Sequence, residues 1–93
     1  MSKKNSNSYI VVTLEVIDGE LAYVNSVLSK VKSGENIIRC AERTARTYYG
    51  NGRKIRRENL YETSGGELLI KIIRYVKVEE NDVSVLKKYF QSF

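Results

Sequence analysis

The sequence contains no histidine, so it lacks the commonest general base and the commonest metal ligand of proteins. Its one cysteine, Cys40, has no histidine to activate it and no second thiol with which to form an internal disulfide or a metal site. The sequence also has no glycine-rich phosphate loop and no nucleophile-elbow motif. We therefore expect a protein that is not an enzyme and that uses no metal or cofactor. Cys40 is expected to be a small buried filler.

Long apolar runs are missing as well, so no segment of the sequence is expected to span a bilayer. The first eight residues, MSKKNSNS, are basic and polar, unlike the apolar core of a signal peptide. A single cysteine fits a reducing compartment. These features predict a cytoplasmic protein, in the host cytoplasm if the chain is viral. The 93 residues predict a disordered basic terminus at 1–8 and one domain at 9–93.

Positive charge is present, and it is concentrated in the stretch Arg39–Arg57, RCAERTARTYYGNGRKIRR. The stretch holds six of the seven arginines and one lysine, with Glu42 as its only acidic residue. Its net charge is therefore +6, while the whole chain carries +5. Arginine binds phosphate through two parallel hydrogen bonds, so the stretch predicts contact with nucleic acid. The predicted binding residues are Arg39, Arg43, Arg46, Tyr48, Tyr49, Arg53, Lys54, Arg56 and Arg57.

Two interpretations remain open for the stretch. Tyr48 and Tyr49 either stack on unpaired bases or pack within the fold. The arginines either contact phosphate or are neutralised by glutamates such as Glu42, Glu58 and Glu62 on a solvated surface.

The start of the chain predicts a strand followed by a helix. The segment Tyr9–Ile17 is β-branched and apolar on both faces, which is typical of a strand inside a sheet or against a partner. The segment Glu20–Lys32 is predicted to be a helix, because its apolar residues recur at helical spacing. Ser33-Gly34 is predicted to end that helix.

The segment 36–49 fits two structures. A strand is favoured by its β-branched and aromatic residues, which are common in strands, and Asn51-Gly52 then makes a hairpin turn. As a helix it forms an apolar stripe beside a basic stripe of Arg39, Arg43 and Arg46. We prefer the strand.

The remainder predicts a hairpin and a last helix. Arg53–Thr63 and Glu67–Val78 are predicted strands joined at Gly65-Gly66, and Asn81–Gln91 is the predicted helix. The fold expected is α+β, in the order β-α-β-β-β-α, with both helices on one face of a mostly antiparallel sheet. A helical 36–49 would give β-α-α-β-β-α. The run of helix, three strands and helix resembles double-stranded-RNA-binding domains in topology alone, since the lysine signature of their second helix is absent.

The sequence predicts a small nucleic-acid-binding protein, with RNA preferred over DNA and binding dominated by the backbone. Duplex DNA is less favoured because neither predicted helix presents a basic face to a major groove. The alternative is a phage or mobile-element accessory protein with an anti-defence role, if the 93 residues are a complete reading frame. Such a protein would inhibit a host nuclease, toxin or defence protein, directly or through its nucleic acid. The two-sided apolar strand predicts a possible homodimer in either case.

Overall fold

The computed structural model describes residues 8–48, 52–55, 60–62 and 68–93. These residues form a six-stranded sheet and two helices. The elements are β1 (Tyr9–Asp18), β2 (Leu21–Lys30), α1 (Ile37–Thr47), β3 (Arg53–Lys54), β4 (Leu60–Glu62), β5 (Leu69–Val78), α2 (Glu80–Tyr89) and β6 (Gln91–Ser92). The predicted α+β class, the number of helices and the mostly antiparallel sheet are confirmed.

The strands lie in the order β3-β4-β5-β1-β2-β6, and only the pairing of β6 with β2 is parallel among the described strands. From β2 to α2 the chain runs strand, helix, three strands, helix, which is the predicted order. Strand β1 precedes that run and β6 follows it. The residues that form the first strand and the first helix of the run differ from those predicted.

The predicted helix Glu20–Lys32 is wrong, because Leu21–Lys30 is strand β2. It pairs with β1 along ten residues, from Asp18 opposite Leu21 to Tyr9 opposite Lys30. Two residues close the hairpin, and Gly19 has the positive φ of 62° that such a tight loop requires. The helical spacing of the apolar residues is therefore overridden by pairing with the neighbouring strand.

The preferred strand at 36–49 is also wrong, and the helical alternative is correct. Helix α1 begins after Asn36, whose side-chain oxygen accepts the backbone N–H of Arg39 at 2.8 Å. This bond satisfies one of the N–H groups that a helix start leaves without a partner. The buried side of α1 consists of Cys40, Ala41, Thr44 and Ala45. Ile37 and Ile38, placed by the prediction on the same stripe, are exposed instead.

The predicted second hairpin is confirmed in part. Strand β4 pairs antiparallel with β5, with Tyr61 opposite Ile70. The predicted single strand Arg53–Thr63 is divided into β3 and β4, which pair with each other. The Gly-Gly turn and Asn51 lie outside the described residues. The last helix is confirmed, at Glu80–Tyr89.

The core lies between the sheet and α1. Strand β1 is flanked by β5 and β2, as its two apolar faces predicted, and Ile10, Val12, Leu14 and Val16 on one face are completely buried. Alternation along a strand places these four side chains together. Cys40 is buried against them, as expected for a filler. The buried Thr44 hydroxyl donates to the carbonyl of Cys40 at 2.7 Å and accepts from Ser29, which joins α1 to β2.

Helix α2 packs more loosely than α1, since none of its residues is buried. Of its predicted packing residues, Val85 and Tyr89 are exposed. Lys87 lies 5.1 Å from the ring centre of Tyr9, which is on the opposite side of β1 from Ile10.

Both ends of the domain are bound to β2 and its continuation. Phe93 donates its N–H to the carbonyl of Leu28 at 2.7 Å and accepts from Lys30 at 3.1 Å. Ser8, predicted to belong to the disordered terminus, accepts the N–H of Val31 at 2.8 Å. Residues 1–7 lie outside the described part of the chain.

Candidate functional site

The outward side of α1 carries a row of arginines. Arg39, Arg43 and Arg46 stand at i, i+4 and i+7, so the helical period brings them to one side. Together with Glu35 and Glu42 they line an open cleft of about 390 Å³. The basic stripe predicted for a helical 36–49 is therefore present, and α1 has the basic face that neither predicted helix showed. We call this set of five residues the α1 cleft.

Arg43 is held by the fold. Its Nε lies 2.9 Å from Glu35 Oε2 and its Nη2 lies 3.1 Å from Glu35 Oε1, so the two groups form a bidentate ion pair. Nη2 also donates to the carbonyl of Lys30 at 2.8 Å. Arg43 therefore ties the middle of α1 to the end of β2 and to the turn that follows it. The positive charge of Arg43 is therefore largely neutralised by Glu35.

The pairing with Arg43 changes the acidity of Glu35. The guanidinium of Arg43 holds the pKa of the Glu35 carboxyl at about 2, compared with an ordinary value of 4.5. Partial burial works in the opposite direction, and the backbone N–H of Lys32, 2.9 Å from Oε1, adds to the lowering. The ionised form of Glu35 is therefore favoured in the folded protein.

Replacing Glu35 by glutamine should reduce the dependence of stability on pH. Since the pKa is lower in the folded state, the ion pair stabilises the fold fully above pH 4.5 and loses this effect as the pH falls through about 2. Wild type should lose more free energy of unfolding across this interval than Glu35→Gln. Urea titrations at several pH values measure it, with Glu79→Gln, at an exposed position, as control. Equal losses in Glu35→Gln and wild type would contradict the ion pair.

Lys54 reaches α1 from the neighbouring hairpin. Its Nζ lies 3.1 Å from Glu42 Oε2, and both side chains are partly exposed. Lys54 lies in β3 opposite Tyr61 of β4, which is buried in the core with residues of α1. This pairing brings Lys54 close to α1. Arg53 also lies in β3, whereas Tyr49, Arg56 and Arg57 lie outside the described residues. The structure thus joins Lys54 to the α1 cleft.

Tyr48 fits the packing interpretation. Its ring stacks on Phe93 with 5.6 Å between ring centres, and its hydroxyl accepts a hydrogen bond from the side-chain amide of Asn25. These contacts use both the ring face and the hydroxyl within the domain. We therefore leave Tyr48 out of the proposed binding surface.

The contacts of two further residues of this region were not predicted from the sequence. Gly52 donates its N–H to the carbonyl of Arg46 at 2.7 Å and so joins the end of α1 to β3. Tyr61 is buried beneath α1, and its hydroxyl has no hydrogen-bond partner in the described part of the chain. Burial raises the pKa of that hydroxyl to about 12; the charge of Glu42 adds to the rise and Arg46 opposes it. Because Arg53–Thr63 is mostly polar, the sequence did not indicate that Tyr61 is buried.

Within the α1 cleft, the positive charge that is not paired with a carboxylate lies on Arg39 and Arg46. Both side chains are exposed, and neither has an ion-pair partner among the described residues. Counting the α1 cleft with Lys54 gives four cations and two carboxylates, a net charge of +2. Both carboxylates are already paired, Glu35 with Arg43 and Glu42 with Lys54. The cleft can therefore bind an anion through its two ends.

Comparison of the chain with family models, curated proteins and solved structures finds no match. The topological resemblance to double-stranded-RNA-binding domains is thus not accompanied by a match to any of them. In the described part of the chain, no helix is both long and apolar enough to cross a membrane.

Proposed function

We propose that the chain is a small, non-enzymatic nucleic-acid-binding protein of the cytoplasm, and that the α1 cleft contacts the phosphate backbone. The observation that carries the proposal is the pair of exposed guanidiniums, Arg39 and Arg46, on one side of α1. The two residues are seven positions apart in the helix, which places them about 10 Å apart along its axis, since each residue advances the helix by about 1.5 Å. One strand of backbone lying along α1 can contact both.

Single-stranded RNA suits this surface better than a duplex groove. In a groove, phosphates stand on both sides of the inserted helix, and Glu35 and Glu42 would be brought close to them. A single strand crossing Arg39, Arg46 and Lys54 needs only one line of contacts. Binding of this kind is dominated by the backbone and weakens as the salt concentration rises, because releasing counterions from the RNA then gains less free energy.

The test is a titration of a fluorescent single-stranded RNA at several salt concentrations. The double variant Arg39→Ser/Arg46→Ser should bind about tenfold more weakly or worse at low salt, because each arginine supplies a charge-assisted contact. Its log–log salt slope should be shallower by about 1.4, since each single-strand contact contributes about 0.7.

The control is Arg74→Ser/Lys88→Ser, which removes the same charge from exposed positions away from α1. It should retain most of the affinity. Equal weakening in both variants would show that net charge alone attracts RNA and would overturn the site. A wild-type protein that ignores RNA and the corresponding DNA would overturn the proposed function.

A protein target is the second candidate, and the exposed apolar residues beside the cleft favour it. Ile38 is 52% exposed next to Arg39, and a phosphate backbone offers no apolar surface to cover it. In this proposal the protein is an inhibitor that covers a host nuclease, toxin or defence protein. A stoichiometric complex with such a protein that survives nuclease treatment would support it.

Self-association is a further part of the proposal. Leu21 and Val24 of β2 are 71% and 60% exposed, so this end of the first hairpin offers apolar surface to a second copy. Sedimentation equilibrium distinguishes a homodimer from a monomer.

A further inference from the structure

The region between α1 and the β3–β4 hairpin contains a buried hydroxyl beside three charged groups. Tyr61 is 3% exposed, and its hydroxyl has no hydrogen-bond partner among the residues that the structure describes. Glu42 and Arg46 stand one helical turn apart on α1, and Lys54 is the β3 residue opposite Tyr61. We call these four residues the Tyr61 site.

A buried hydroxyl without a partner is uncommon and unfavourable, because the group has lost its hydrogen bonds to water. Its surroundings indicate what partner is missing. Arg46 and Glu42 both lie where α1 meets the hairpin, since Gly52 donates to the Arg46 carbonyl at 2.7 Å and Lys54 contacts Glu42 at 3.1 Å. In agreement with this placement, burial and then Glu42 raise the pKa of the Tyr61 hydroxyl, and Arg46 lowers it. Lys54 brings a second cation close by, through its 3.1 Å contact with Glu42. Two cations and a hydroxyl donor together suit an oxyanion.

In the structure, the carboxylate of Glu42 is the anionic group that contacts Lys54. It carries one negative charge and accepts from Lys54, as a phosphodiester oxygen would. The contact is partly exposed, with side-chain exposures of 39% for Lys54 and 35% for Glu42. Exposed ion pairs of this kind are weak, so an incoming anion can replace the carboxylate at small cost.

We propose that a backbone phosphate of the bound nucleic acid displaces Glu42 from Lys54 and is held by Lys54, Arg46 and the Tyr61 hydroxyl. The inference rests on the proposed function. It adds that Glu42 competes with the phosphate for Lys54 and that the Tyr61 hydroxyl donates a hydrogen bond to the phosphate. Glu42 holds Lys54 in place in the free protein and weakens binding. Tyr61 donates only when the phosphate is bound.

The sharpest variant is Tyr61→Phe, because it removes only the hydroxyl. It should fold with unchanged or higher thermal stability, since the free protein loses an unsatisfied polar group. It should bind single-stranded RNA about tenfold more weakly, which corresponds to the loss of one hydrogen bond to a charged acceptor. Tyr89→Phe is the matched control, because Tyr89 is 77% exposed on α2, and its affinity should equal that of wild type.

Glu42→Gln tests the competitor. It should bind the same RNA more tightly than wild type, by about three- to tenfold, because the phosphate then displaces a neutral amide and meets one negative charge fewer. Glu79→Gln, at the exposed position just before α2, changes net charge equally and is the control. Fluorescence anisotropy with the single-stranded RNA measures all the affinities, and thermal unfolding measures the stabilities.

The outcomes separate this inference from the proposed function. Absence of RNA binding by wild type overturns both. If wild type binds and Arg39→Ser/Arg46→Ser weakens it, while Tyr61→Phe and Glu42→Gln both match their controls, the Tyr61 site alone is overturned. Loss of affinity in Tyr61→Phe together with a gain in Glu42→Gln supports it.

Discussion

Gly52→Ala should lower the free energy of unfolding by about 1–3 kcal/mol, the usual cost of forcing extra atoms into a packed site. A Cβ at this position would stand 2.8 Å from the carbonyl oxygen of Arg46 and 3.2 Å from that of Glu62. Both are backbone atoms, one at the end of α1 and one in β4, so neither can move aside as a flexible side chain would. The substitution would therefore separate α1 from the β3–β4 hairpin. The smaller conformational freedom of alanine in the unfolded chain offsets only about 0.4–1 kcal/mol.

Gly19→Asn is the control for this prediction. Gly19 has a positive φ of 62°, which asparagine tolerates, and no atom lies within 4 Å of a Cβ there. Urea denaturation should show a much smaller change for this variant than for Gly52→Ala. A Gly52→Ala protein as stable as wild type would contradict the close approach of α1 to the hairpin.

Leu14→Ala should cost about 2–5 kcal/mol, as large-to-small changes in protein cores do. Leu14 is completely buried in the central strand, between Asn25 of β2 and Ile72 of β5. Helix α1 covers the same face, so little of the surroundings can collapse into the space left. A loss of this size is a large part of the roughly 5–15 kcal/mol by which domains are stable.

The matched comparison for Leu14 is Val76→Ala. Val76 lies in β5, which is adjacent to β1, and is 55% exposed, so its truncation should change stability by about 0.5 kcal/mol or less. The midpoints of urea denaturation curves measure both variants. Similar midpoints for the two would show that β1 is not the centre of the core.

The elements that sequence reasoning placed correctly are those whose signals are local. Strand β1 is rich in β-branched residues, the sequence between β4 and β5 contains Gly65-Gly66, and α2 has acidic residues at its start and lysines at its end. Each signal acts within a few residues of the element it specifies. No distant contact was needed to recognise them.

The two errors came from segments in which local and distant preferences disagree. Strand β2 has apolar residues at helical spacing, but β1 precedes it by two residues and provides a partner for all ten of its positions. The segment that became α1 has many β-branched residues, but Asn36 caps its start and its small residues, Cys40, Ala41 and Ala45, fit against the sheet. In this segment the small residues, which allow a helix to pack closely on the sheet, were a better guide to the structure than β propensity was.

The sequence predicted a positively charged stretch at the candidate site, but it could not show which of the charges are paired within the fold and which are not. The sequence identified Arg39, Arg43 and Arg46 together. It could not show that Arg43 pairs with Glu35, eight residues earlier, because that contact depends on the turn between β2 and α1. It could not reveal the unpartnered hydroxyl of Tyr61 either, since this depends on how α1 covers β4.

The most direct test of the α1 cleft is to follow the backbone amide NMR signals of the isotope-labelled protein during titration with single-stranded RNA. We expect the largest shifts at Arg39, Arg46 and Lys54, with little change at Arg74 and Lys88. Shifts centred on α2, or no shifts on α1 while RNA binds, would contradict the central claim that the outer face of α1 binds the nucleic-acid backbone.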